Sequence, residues 1–69
     1  MNIMDQEEIL RSQLDVLRRE HRSLDEAIEV ERDNPLADQL SIRRMKKKKL
    51  ALKDEIARIE DLLYPDIIA

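Results

Sequence analysis

The 69-residue chain contains no cysteine and no glycine, and its one aromatic residue is Tyr64. Without cysteine there is neither a disulfide nor a thiolate metal site. The single histidine, His21, cannot build a metal site within one chain. Sheet proteins draw on glycine-containing turns and on β-branched or aromatic strands, so the absence of glycine argues against β structure. No run approaches the ~20 apolar residues needed to span a bilayer. The N-terminal stretch MNIMDQEE is acidic and lacks the apolar segment of a secretory signal. The expected compartment is the cytoplasm.

What the chain does contain is charge and leucine. Charged residues make up 42% of it, yet the net charge is only −3. Leu, Ile, Glu, Lys and Arg without glycine suit long helices and coiled coils. Apolar residues recur at regular spacing, which sets this composition apart from that of a disordered chain. A chain of this length is one small domain and seldom buries enough apolar surface to be robust alone. With disulfides and metals excluded, self-association is the remaining source of stability.

Two helical segments flank RDNP at 32–35. Asp5 and Glu8 have the spacing of a capping box, with Met4 and Ile9 at the flanking staple positions. Leu10, Leu14, Leu17, His21, Leu24 and Ile28 then recur every three or four residues, a heptad seam. The residue before a proline avoids the helical region, asparagine is a favoured N-cap, and proline suits the first helical turn. The second helix is therefore expected from about Pro35. Its seam is Ile42, Met45, Lys49, Leu52, Ile56, Ile59 and Leu63. Tyr64 and Pro65 end it. The boundaries predicted are helix one at about 5–32, a turn at 33–35, helix two at about 35–63, and a frayed tail at 64–69, with docking of Ile67 and Ile68 on a neighbour as the alternative.

A short break makes the helices antiparallel neighbours. The expected fold is all-α: an antiparallel two-helix hairpin, coiled-coil-like, whose copies pair into a four-helix bundle. A pivot at Asn34 sets Leu24 level with Met45, Leu17 with Leu52, and His21 with Lys49. It also brings Asp25, Glu26, Glu29 and Glu31 towards Arg43, Arg44 and Lys46, and Arg11 towards Arg58, Glu60 and Asp61. Ile9, Val16, Val30, Leu36, Leu40, Leu50 and Leu62 lie off the seams. Leu50 points away from Leu52, which calls for a second interface.

The run Lys46–Lys49 raises a separate question. Successive helical residues point about 100° apart, so the four cannot form one basic face. The plain reading is a solvated shell whose stems cover apolar surface. The functional reading is an interaction surface of Arg43, Arg44, Lys46, Lys47, Lys48, Leu50 and Lys53. Its ligand would be an unknown protein partner or, as the alternative, nucleic-acid phosphates bound by the 43–53 cluster. Lys49, on the seam, reads as a polar residue that fixes register at some cost in stability, so that Lys49→Leu would stabilise. His21 reads as a hydrogen-bonded core residue, with a pH sensor or a metal site shared between copies as the sharper alternatives. No glycine loop or nucleophile–base pair supports catalysis; Ser12, Ser23 and Ser41 have only His21 as a possible base. No enzyme activity and no cofactor are expected.

HRSLDEAI (21–28) and MKKKKLALKDEI (45–56) together resemble the YdcH-like family of small bacterial proteins, also called DUF465, a domain of unknown function. His21, Leu24, Asp25 and Ile28 match its first element. Lys46 to Lys49, Leu50, Leu52, Lys53, Asp54, Glu55 and Ile56 match its second. The resemblance implies a self-associating helical hairpin and no activity, cofactor or defined site.

Overall fold

The computed structural model describes residues 5–65. Helix α1 runs Gln6–Arg32 and helix α2 runs Gln39–Leu63; the two pack side by side. Asp5 caps α1 as the sequence suggests: its backbone is extended and its carboxylate accepts from Glu8 N–H at 2.8 Å. Such a cap contributes about 1 kcal/mol. Met4 and the Ile67–Ile68 tail lie outside the described residues.

All thirteen seam positions named from the sequence turn inward. Leu14, Ile28, Ile42 and Leu52 are buried, and the other seam residues are half-buried between the helices. Ile9, Val16, Val30, Leu36, Leu40, Leu50 and Leu62 are exposed. The heptad spacing alone sorted these two sets, because only residues three or four apart share a helix face.

The turn departs from expectation. Helix α2 begins at Gln39, not near Pro35, and the connection runs from Asp33 to Asp38. Asn34 does not cap a helix. Its carbonyl accepts from Ala37 N–H at 3.0 Å and its side chain from Leu36 N–H at 3.0 Å, closing a turn with Pro35 at the second position. Proline's fixed φ suits that position as well as it suits a first helical turn. Asp38 is the cap: its backbone is extended and its carboxylate accepts from Leu40 N–H at 3.0 Å. At the far end Tyr64 leaves the helix before Pro65, its N–H donating to the Glu60 carbonyl at 2.7 Å.

The longer connection moves the register. Lys49 reaches Asp25, one turn closer to the connection than His21, and Arg18 reaches Glu60. Arg11 pairs with Glu7 on its own helix, not with the end of α2. Arg43, Arg44 and Lys46 make no ion pair among the described residues.

Candidate interaction surface

The lysine run straddles α2. Lys46, Lys47 and Lys48 are exposed, as are Arg43, Arg44 and Lys53. Lys49 is half-buried at the helix–helix seam. From residue 39 to residue 53 the chain has seven cationic side chains and no carboxylate. Only Lys49 among them has an ionic partner within the described residues. The expected neutralisation of this segment by the acidic end of α1 is therefore confined to one contact. That segment supplies Glu26, Glu29 and Glu31, and none of them is paired across the helices.

That contact is short: Lys49 Nζ donates to Asp25 Oδ1 at 2.5 Å. The hydrogen bond and charge of Lys49 hold the Asp25 carboxyl below its ordinary value of 3.8, with smaller contributions from His21 and Arg32. A lowered acid pKa means the folded state binds the proton less tightly than the unfolded chain. The stability this pair contributes is therefore present above about pH 3.8 and is lost as pH falls through the lower folded value. Acid unfolding followed by circular dichroism should show this limb, and Asp25→Asn should flatten it. An unchanged acid limb in Asp25→Asn would mean that the pair does not contribute to stability.

Two polar seam residues thus have different environments. Lys49 is satisfied by Asp25. His21 Nε2 is buried and makes no hydrogen bond among the described residues. The expectation of a hydrogen-bonded core histidine is not met at that nitrogen. Nothing in the spacing of His21 could have separated the two cases, because the carboxylate that favours Lys49 was fixed by the register.

Leu50 and Val16, both off the seams, line grooves on different sides of the hairpin. Leu50 lines a groove of about 550 Å³ with His21, Lys49, Lys53, Ile56, Ala57 and Glu60. The two cross-helix ion pairs lie along this side. On the opposite side, Val16 joins two grooves of about 470 and 540 Å³. Leu17 and Ile59 line the first with Gln13, Glu55 and Arg58, and Leu24 and Leu52 line the second with Arg19, Glu20, Ser23 and Lys48. No ion pair crosses that side among the described residues.

Residues 14–60 match the family described as protein of unknown function (DUF465). The chain belongs to the DUF465 family. No curated protein and no solved structure matches it. The DUF465 match takes in the connection, both polar seam residues and the whole basic segment. It excludes the Asp5 cap and the end of α2. Among the described residues no helix is long and apolar enough to cross a membrane.

Proposed function

We propose that this DUF465 chain is a cytoplasmic, non-catalytic interaction module that works as a self-associated helical hairpin and presents its basic helix to a protein partner. The supporting observation is the imbalance of its apolar side chains. Among the described residues four are buried in the hairpin, whereas seven aliphatic ones and Tyr64 stand exposed. A core of that size is marginal for a free domain, and covering the exposed set with further copies yields a helical bundle. Helicity and thermal midpoint should then rise with protein concentration, as linkage to assembly requires. Sedimentation that finds one monomeric species from micromolar to millimolar protein would refute the reading.

A second reading is supported by the unpaired cations of α2. In it, Arg43, Arg44, Lys46, Lys47, Lys48 and Lys53 bind nucleic-acid phosphates. Affinity for duplex DNA or RNA should then fall steeply with salt, by about one unit of log–log slope per phosphate contacted. Reversal of Lys46–Lys48 to glutamate should abolish it. Binding that is indifferent to salt, or none at all, would leave the protein-partner reading.

A further inference from the structure

The hairpin is two-sided. One side is crossed by the Lys49–Asp25 and Arg18–Glu60 ion pairs. The side holding Val16 has none among the described residues, and its grooves expose the flanks of Leu17, Leu24, Leu52 and Ile59. Along this open side each helix carries a second set of residues three or four apart. On α1 it is Ile9, Gln13, Val16, Glu20, Ser23, Ala27 and Val30. On α2 it runs from Leu40 through Arg44, Lys48, Ala51, Glu55 and Arg58 to Leu62. These seams absorb five of the exposed apolar residues: Ile9, Val16, Val30, Leu40 and Leu62.

Both patterns are self-complementary when read from opposite ends. Around a midpoint between Arg19 and Glu20, Ile9 falls against Val30, Val16 against Ser23, and Arg19 against Glu20. Around Ala51, Leu40 falls against Leu62, Lys47 and Lys48 against Glu55, and Ala51 against itself. The two midpoints lie within about one helical turn of each other along the hairpin, since Arg19, Glu20 and Leu52 line one groove. A single two-fold axis therefore serves both helices. Such an axis gives an isologous contact, the same patch on both copies.

We infer that the Val16 side is the interface with a second copy of this chain, closed by a two-fold axis at the level of Arg19, Glu20 and Ala51 that runs α1 antiparallel to α1 and α2 antiparallel to α2, with the two turns at opposite ends. The inference rests on the self-association reading above and specifies its geometry. Opposite charges meet at Arg19–Glu20 and at Lys47 or Lys48 with Glu55, each twice by symmetry. Ala51 at the axis lets the α2 helices approach closely. One juxtaposition is unfavourable, Arg44 near Arg58, and both guanidinium groups can extend to solvent. Placing both turns at one end instead sets Val16 against Glu55 and Arg58, a poorer match. The ion-paired side offers no comparable pattern, since Leu50 there is flanked by Lys46, Lys49 and Lys53.

Disulfide trapping tests this, because the chain has no cysteine of its own. Ala51→Cys should link two copies under mild oxidation at least about ten times faster than Leu50→Cys, through the raised effective concentration at the axis. The difference should vanish in denaturant. Ala51 and Leu50 are both exposed in the hairpin, so neither change is expected to prevent folding. Equimolar Leu40→Cys and Leu62→Cys should link to one another. Faster linkage at Leu50→Cys would place the interface on the other side and overturn the inference. An unlinked Ala51→Cys that still sediments as an oligomer would overturn this geometry while leaving self-association intact. A monomer at every concentration would overturn both.

Discussion

Ile28→Ala should unfold the hairpin. Ile28 is 2% exposed, the most enclosed side chain among the described residues, and sits on the last turns of α1. Truncating a buried isoleucine costs about 2–5 kcal/mol, part of it from the cavity left behind. A domain of this size has little more than that to lose. Far-ultraviolet circular dichroism should show most helicity gone at room temperature and low micromolar concentration. Leu36→Ala is the comparison: Leu36 is 91% exposed in the connection and should shift stability by less than about 0.5 kcal/mol. Equal losses in the two variants would mean that the heptad seam is not the core.

His21→Leu should stabilise. Its Nε2 is buried without a hydrogen bond, at a seam position between Leu17 and Leu24. An unsatisfied buried polar group costs about 1–3 kcal/mol, and a leucine of similar size removes that cost while filling the same gap. The thermal midpoint should rise, at equal protein concentration. A lower midpoint would show that the imidazole is satisfied in the assembled protein and that its removal breaks a contact. Lys49→Leu, by contrast, should do little, although the sequence suggested that it would stabilise. The Lys49 ammonium already has the Asp25 carboxylate at 2.5 Å, and the two side chains keep 33% and 47% of their surface in water. Losing a half-solvated pair of this kind costs little, and the apolar contact that a leucine gains at the seam offsets that loss.

The two histidine and lysine cases mark how far the sequence could be read. Both residues were visible as interruptions of a leucine seam. Whether each had a partner depended on which turn of the other helix lay opposite. That register was set by a connection whose length the sequence misled on. Asn34 and Pro35 fit a helix start and fit a turn equally well by local preference. Asp38, a second capping residue, offered the later start, and no local rule chooses between two competent caps.

The candidate interaction surface divides in the same way. The sequence showed seven cations without a carboxylate on the first half of α2, and helix geometry alone dispersed them around the axis. It did not show that one would be neutralised while the rest have no ionic partner among the described residues. Nor did it show that Leu50 and Val16 would lie on opposite sides of the hairpin. These are facts about how the two helices sit against each other, which side-chain spacing within one helix does not contain.

The sequence by itself determined that this protein is two helices, which thirteen positions face inward, where α1 begins and where α2 ends. Those properties follow from contacts between residues three or four apart and from caps within one turn, all of which are local. Only the tertiary structure decided the start of α2, the register between the helices, the pairing of Lys49 with Asp25, the unsatisfied nitrogen of His21, and the contrast between an ion-paired side and an open one. Each of these depends on groups far apart in the chain, brought together by a turn whose geometry was one of two that the residues allow.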